Sequence, residues 1–185
     1  MTQQEIVKLA AHEGAKAGVK AAHEEWEKLQ KQDAQEKTDR RLRNVKLLLR
    51  NYRMLREHIE NAVYETECEE SPLDIMEDLM TGRDSTLIVD SIKRSVARTA
   101  VIVQHMETMF GLYQSFCFSK TATPEDQRRW RVIDALYISD DHRSVPELAR
   151  DENVVERTIY KDIDIASERI TALIFGIDGL DRRRK

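Results

Sequence analysis

The sequence predicts an all-α protein in which long antiparallel helices precede a C-terminal helix-turn-helix domain. Only 3 Pro and 6 Gly occur in 185 residues, too few for an all-β fold that turns about every 8–12 residues. Apolar residues recur three or four positions apart over two long segments, as one face of a helix requires. All three prolines lie one or two residues after a Ser or Thr, where a capped helix begins.

The first 37 residues predict a solvated helix. Thr2 and Glu5 have the spacing of a capping box, and the residues that follow are rich in Ala, Glu and Lys with sparse apolar positions. Such a helix buries little surface, so we expect a partner or self-association to order it.

The segment 38–66 predicts an amphipathic helix with a separate basic face. Its apolar stripe is Leu42, Val45, Leu49, Tyr52, Leu55, Ile59 and Ala62. A second stripe, on another face, is Arg40, Arg43, Lys46, Arg50 and Arg53. Two interpretations of this basic stripe remain open: it contacts phosphates, or it is a solvated face that pairs with the acidic segment 67–90.

A second long helix is expected from Asp84 to about Phe118, after a short one opened by Ser71 and Pro72 and ending near Gly82. Its length suits either an antiparallel pairing with 38–66 or an oligomeric coiled coil. The pattern does not distinguish the two. We therefore expect a long-helix hairpin or oligomerisation region over 38–122.

The C-terminal domain is expected over 123–180, followed by a basic tail at 181–185 that either steers the chain onto nucleic acid or is a frayed end. Thr123 and Pro124 repeat the start signal of Ser71 and Pro72. Three helices are predicted: from Pro124 to about residue 138, from Ser144 to about residue 151, and from about 155 to 175, where Gly176 ends the last one.

The second and third of these helices have the residue types of a helix-turn-helix. Ala149 is small where the two helices would touch, and Asn153 tolerates the left-handed turn between them. Val154 and Ile159 would then face the core. In such domains the second helix enters the major groove of DNA with its first turns at the base edges.

This geometry selects the candidate DNA contacts. The base-reading candidates are Val155, Glu156, Arg157, Tyr160 and Lys161. The phosphate candidates are Ser144, Thr158, Arg40, Arg43, Lys46, Arg50 and Arg53. Because the C-terminal domain is slightly acidic, with Glu156 and Asp162 on the third helix, it must bind weakly alone, bind as a dimer, or use cations from elsewhere.

Two segments of the chain resemble a known family. VPELARDENVVERTIYKDI is similar to the helix-turn-helix of bacterial regulators and of sigma-factor region 4, although Val155 replaces the usual capping Ser or Thr and Glu152 replaces an apolar residue. RRLRNVKLLLRNYRMLREHIENAVYE and ITALIFGIDGL resemble phage transcriptional regulators of the ArpU/RinA type. The resemblance covers roughly 38–180 and implies a prophage-encoded regulator that binds double-stranded DNA.

Other interpretations of the same residues remain open. The helical pair could be a packing or protein-docking element in an oligomeric assembly protein, such as a small terminase-like DNA-packaging subunit. The stripe Ile159, Ile163, Ala166, Ile170 and Leu173 could pack on Trp130, Ile133 and Tyr137, or form a dimer seam.

Several functions are not expected from this sequence. It has no phosphate loop, nucleophile elbow or HExxH motif, so we expect no enzyme and no cofactor. The five His and two Cys lack ligand spacing, so no metal is expected, and the pair Cys68 and Cys117 suits a reduced cytoplasmic chain. No membrane span or secretory signal is apparent. The expected partners are DNA, a second copy of the chain and, as a further candidate, RNA polymerase.

Overall fold

A computed structural model of the chain describes residues 3–61, 71–75 and 96–176, with only the backbone given for residues 3–11. All regular secondary structure in the described residues is helical, and those residues form no strand. The helices are α1 (Gln3–Glu60), α2 (Val96–Cys117), α3 (Pro124–Ile133) continued by a π-helix (Asp134–Ile138), α4 (Val145–Asp151) and α5 (Glu156–Phe175). The chain divides into two compact units, Met1–Asp39 and Arg40–Lys185.

The first unit consists of the solvated half of α1, as its composition predicts. The side chains from 12 to 37 are exposed except for Ala34, which is half-buried. Charged side chains one turn apart, such as Glu27 and Lys31, pair along the surface and give a solvated helix modest support. The sequence suggests separate segments on either side of 37, but the helix is continuous there, and the hydroxyl of Thr38 donates to the carbonyl of Ala34 at 2.9 Å.

The core of the second unit lies between α1, α2, α3 and α5. From the predicted α1 stripe, Val45, Leu49, Tyr52 and Leu55 are buried, while Leu42 and Ile59 are half-buried. Ala62 lies outside the described residues. The ring of Tyr52 meets Phe110 of α2 edge-on, with ring centroids 5.2 Å apart. Its hydroxyl donates to Glu107, and burial together with this carboxylate raises the pKa of Tyr52 to about 12.

The helix starts predicted from Ser/Thr-Pro pairs are confirmed. At α3 the hydroxyl of Thr123 accepts from the Asp126 N–H at 3.2 Å, and the Asp126 carboxylate accepts from the Thr123 N–H at 3.1 Å. Ser71 and Asp74 make the same reciprocal bonds, and a helical turn follows at 72–75. The expected start of the second long helix at Asp84 and the end of the short one near Gly82 lie outside the described residues.

The stripe on α5 packs inward rather than forming a dimer seam. Ile159, Ile163, Ala166 and Ile170 are buried within the chain, and Leu173 is 37% exposed. Ala166 and Ile170 share a core with Trp130 and Ile133, as the packing interpretation predicts. Ile159 and Ile163 form a second cluster with Val132, Leu148 and Ala149. α5 ends at Gly176, whose φ of +85° no other residue adopts easily.

Within the part of the chain that the structure describes, no helix combines the length and the apolar character needed to cross a membrane.

Candidate nucleic-acid interface

The turn between α4 and α5 has the geometry that its residue types predict. Asn153 adopts the left-handed conformation with φ of +52°, which Asn tolerates better than most residues. The next N–H, of Val154, donates to the carbonyl of Ala149 at 2.9 Å and closes the turn. Ala149 is 6% exposed, since it lies where the two helices touch. The turn therefore holds the first residues of α5 in a fixed direction relative to α4.

The N-terminus of α5 lacks a side-chain cap. Val155 occupies the cap position, and its side chain is 68% exposed. The N–H of Thr158 donates to the Val155 carbonyl at 2.8 Å, so the backbone alone closes the first turn. The departure from Ser or Thr at this position thus removes a capping hydrogen bond but leaves the helix start intact.

All five base-reading candidates are exposed at this end of α5. We call the surface formed by Val155, Glu156, Arg157, Tyr160 and Lys161 the outer face of α5. Tyr160 and Lys161 lie three and four residues after Arg157, so both neighbour it on one side of the helix.

The two phosphate candidates of the C-terminal domain differ in their surroundings. Thr158 is half-buried, whereas Ser144 is exposed at the start of α4. Both the N–H and the hydroxyl of Ser144 donate to the Glu147 carboxylate, at 2.7 and 2.6 Å. These hydrogen bonds lower the pKa of Glu147. Ser144 therefore caps α4 in the structure, and its hydroxyl proton is already donated within the chain.

Asp162 lies on α5, as the sequence predicts, but not on the outer face of that helix. Its side chain is buried and accepts hydrogen bonds from Arg128 at 2.7 Å and Arg129 at 3.3 Å. Arg129 also binds Asp126, which in turn binds Arg169 at 2.6 Å. Burial opposes ionisation of Asp126, but its bonds with Thr123 and Arg169 outweigh it and hold its pKa well below the usual range. This network neutralises two carboxylates inside the C-terminal helices.

Glu152, the other departure from the helix-turn-helix pattern, is explained by a partner on α3. Its two carboxylate oxygens accept from Arg131 at 2.6 and 2.7 Å, a bidentate pair. This pairing lowers the pKa of Glu152, against the effect of burial. An ion pair therefore takes the place of the apolar contact expected at this position.

The C-terminal part of the basic stripe of α1 lies against α5 and the π-helix. The ammonium of Lys46 contacts the carboxylate of Asp164 on α5 at 2.7 Å. A cleft of about 200 Å³ opens beside this pair, lined in part by Arg50 of α1, Tyr137 of the π-helix and Tyr160 of α5. Burial raises the pKa of Tyr137, while Arg50 and Lys46 act to lower it. The structure thus brings together two segments that the sequence alone could only list separately.

Arg53, another phosphate candidate of the basic stripe, contacts backbone groups at the end of the π-helix. Its guanidinium donates to the carbonyls of Ser139 at 2.6 Å and Ala135 at 3.0 Å, and lies 3.2 Å from Nδ1 of His142. Arg53 therefore binds the end of the π-helix, where carbonyl groups have no partner within the helix. Arg40 and Arg43 are exposed.

Sequence reasoning missed the arginines that organise this region, which are Arg128, Arg129, Arg131 and Arg169. Arg129 and Asp126 are three residues apart on one helix. The other pairs, Arg128–Asp162, Arg131–Glu152 and Arg169–Asp126, join residues more than 20 positions apart. Only the i,i+3 spacing of Asp126 and Arg129 could have predicted an ion pair from the sequence.

The fold and this site define an all-helical protein whose C-terminal helical pair presents a mixed basic and aromatic surface. Comparisons with protein-family models, with curated proteins and with solved structures found no match to this chain. Among the described residues, no group of three or more His, Cys, Asp or Glu side chains is arranged to hold a metal ion. Cys117 is a buried free thiol, and Cys68 lies outside the described residues.

Proposed function

We propose that this protein is a sequence-specific DNA-binding transcriptional regulator of the prophage type, with α4 and α5 as its helix-turn-helix. The observation that carries the proposal is the contact between Lys46 and Asp164, with Arg50 and Tyr160 lining one cleft beside it. It supports a single composite surface, in which the outer face of α5 reads base edges and the α1 stripe supplies cations for the adjoining phosphates.

The charge distribution also supports DNA binding better than the net charge does. Asp126, Asp162 and Glu152 are each paired with arginine inside the helical domain. These pairs cancel positive and negative charge together, so the local charge of the outer face of α5 is set mainly by the residues of that face. Arg157 and Lys161 then face solvent with Glu156 as the one acidic side chain of the outer face.

The roles follow from exposure and position. Arg157 and Lys161 are suited to bases that present acceptors in the major groove. Tyr160, 56% exposed, offers an apolar ring beside them. Arg40, Arg43 and Arg50, exposed along α1, and Thr158 are proposed to contact phosphates. Ser144 is not included, because its N–H and its hydroxyl both donate to Glu147. Lys46 lies at the border between the basic stripe and α5, where it pairs with Asp164. Arg53 is not among the proposed phosphate contacts, because it binds backbone carbonyls within the chain.

The test measures binding of the full-length protein to the DNA upstream of its own gene, at several salt concentrations. Arg157→Ala and Lys161→Ala should each weaken binding by about 1–3 kcal/mol at certain base pairs only. Arg43→Ala and Arg50→Ala should weaken binding evenly across sequences and reduce the salt slope by about one unit each. Lys120→Ala, an exposed lysine in the turn after α2, is the matched control. If the α5 variants bind like the parent, the recognition helix is wrongly assigned.

A second candidate function is a DNA-packaging or assembly subunit, favoured by the long solvated half of α1. Trp26 and Leu29 remain 57% and 55% exposed there, as expected of a helix that packs against other subunits. Light scattering separates the two candidates, since a closed ring of roughly eight or more copies indicates packaging. A monomer or dimer agrees with the regulator, for which RNA polymerase is a further proposed contact.

A further inference from the structure

The cleft between α1, the π-helix and α5 has apolar walls as well as charged ones. Leu49 of α1, Leu136 of the π-helix and Ile163 of α5 belong to its lining, together with Val145 at the start of α4. Its volume of about 200 Å³ lies below the range of about 300–1,000 Å³ that drug-sized ligands occupy. A ligand of this cleft is therefore small, and part of it is apolar.

The charged side chains of the lining favour a negative ligand. They are Lys46, Arg50 and Asp164, which are two cations and one carboxylate. Lys46 and Asp164 pair with each other at 2.7 Å, so the charge of Arg50 is the one that this pair does not balance. The lining thus complements a single negative charge, and a guanidinium is the side chain best suited to bind a carboxylate.

A buried hydroxyl in the lining has no hydrogen-bond partner within the described part of the chain. It belongs to Ser167, which is 0% exposed and lines the cleft from α5. Thr171, one turn later, donates its own hydroxyl hydrogen to the carbonyl of Ser167 at 2.6 Å, whereas Ser167 makes no such bond. Because an unpaired buried hydroxyl is unfavourable, a ligand oxygen that accepts its hydrogen would be stabilising.

Two tyrosines complete the polar part of the cleft. Tyr160 and Ser167 are seven residues apart, so they lie two turns apart along the same face of α5. Tyr137 belongs to the π-helix, a conformation that is frequent at functional sites. Burial raises the pKa of Tyr137, although Arg50 hydrogen-bonds its hydroxyl and acts to lower the pKa. The hydroxyl therefore keeps its proton at neutral pH and can donate it to an anion.

We propose that this cleft is a binding site for a small organic anion, a carboxylate attached to a single ring. Arg50 binds the carboxylate, the Ser167 hydroxyl donates to one of its oxygens, and the apolar side chains cover the ring. This site does not depend on the proposed function. A second step does rest on it: Arg50 and Tyr160 also belong to the proposed DNA surface, so the bound anion competes with DNA.

The experiment is ligand-observed NMR on the full-length protein without DNA, at constant ionic strength, with benzoate as the probe. Benzamide is the matched neutral ligand, and acetate is the carboxylate without a ring. Benzoate should bind saturably, and the dissociation constants of the other two should be higher by about tenfold or more. Benzamide that binds as tightly as benzoate, or benzoate that does not saturate, overturns the proposal.

Variants locate the binding in the cleft. Arg50→Gln should raise the dissociation constant of benzoate by about tenfold or more. Ser167→Ala should also raise it, yet should melt no lower than the parent, because it removes an unpaired hydroxyl and Ala has the higher helix propensity. Arg150→Gln is the matched control, since this exposed arginine of α4 does not line the cleft. Unchanged benzoate affinity in both Arg50→Gln and Ser167→Ala overturns the proposal.

Competition is measured on the DNA upstream of the protein's own gene. Saturating benzoate should weaken DNA binding of the parent by about fivefold or more, relative to acetate at the same ionic strength, and Ser167→Ala should need more benzoate for the same effect. Benzoate that binds without changing DNA affinity overturns the competition. A parent protein that binds benzoate in the cleft but binds no DNA overturns the proposed function and supports the anion site.

Discussion

Lys46 and Asp164 form an ion pair, with Nζ and Oδ1 2.7 Å apart, that joins α1 to α5 across 118 positions of sequence. The Asp164 side chain is 62% exposed and that of Lys46 is 33% exposed. A pair this accessible contributes at most about 1 kcal/mol to folding. The pair matters for DNA binding because it joins the basic stripe of α1 to α5 beside the outer face of that helix.

Substitutions at the two ends of this pair should change DNA affinity in opposite directions. Asp164→Asn removes a negative charge beside the outer face of α5 and releases Lys46, so binding should tighten and the salt slope should steepen by about one unit. Lys46→Ala leaves Asp164 uncompensated and should weaken binding. Fluorescence anisotropy in a salt series measures both. A change of the same sign in the two variants would contradict the composite surface.

Arg53 should matter for stability more than its exposed neighbours on the same stripe. Arg53→Ala leaves the carbonyls of Ala135 and Ser139 without their donor, and we expect the free energy of unfolding to fall by about 1–3 kcal/mol. Arg43→Ala, at an exposed position of the same helix, should change it by less than about 0.5 kcal/mol. Urea unfolding followed by circular dichroism provides the comparison, and equal losses would show that Arg53 has no special structural role.

The left-handed residue in the turn offers a test of the α4–α5 geometry. Asn153, with φ of +52°, should be replaceable by Gly with little loss of stability. Asn153→Ala should cost about 1 kcal/mol, because a Cβ is strained in that conformation. The melting temperature should therefore rank Gly close to the parent and Ala below both. Ala equal to Gly would mean that the turn does not adopt this conformation.

The buried network at Asp126 predicts acid sensitivity. Its pKa is held below the ordinary value by Thr123 and Arg169 despite burial, so the unfolded chain takes up this proton first as pH falls. The stabilisation is therefore complete above about pH 4, the ordinary range of an Asp, and is lost progressively below it. Asp126→Asn should be less stable than the parent at pH 7, with a difference that shrinks as pH falls below about 4.

Denaturant unfolding of parent and variant at matched pH values measures this difference. Glu147→Gln is a useful control, because Glu147 also has a lowered pKa but caps α4 at the surface. At pH 7, Glu147→Gln should differ from the parent in free energy of unfolding by less than Asp126→Asn does. A constant difference between the Asp126 variant and the parent from pH 7 to pH 3 would contradict the assignment.

The local signals in the sequence predicted the C-terminal helices closely. Thr123 with Pro124, Ser144 with Pro146, Asn153 and Gly176 each act on backbone groups within a few residues, so their effects can be predicted without knowing the fold. The exposure of Arg157, Tyr160 and Lys161 follows from the same local reasoning, since the apolar spacing defines the inner side of α5.

Charge was harder to interpret from the sequence. Asp162 falls close to Lys161 in sequence but turns inward, where Arg128 and Arg129 meet it from another helix. Arg53 shares the spacing of Arg50 but reaches backbone carbonyls of the π-helix. Whether a charged side chain is paired depends on which helices pack together, and the spacing within one helix does not contain that information.

The sequence by itself thus determined the helical class, the helix starts and ends in the C-terminal region, and the side of α5 that faces solvent. These properties depend on hydrogen bonds and apolar spacing within a few turns of one chain segment. Only the tertiary structure decided that Lys46 and Arg50 border the outer face of α5 and that three carboxylates are internally neutralised. Those features arise from contacts between distant segments, where burial and partner geometry set the role of each charge.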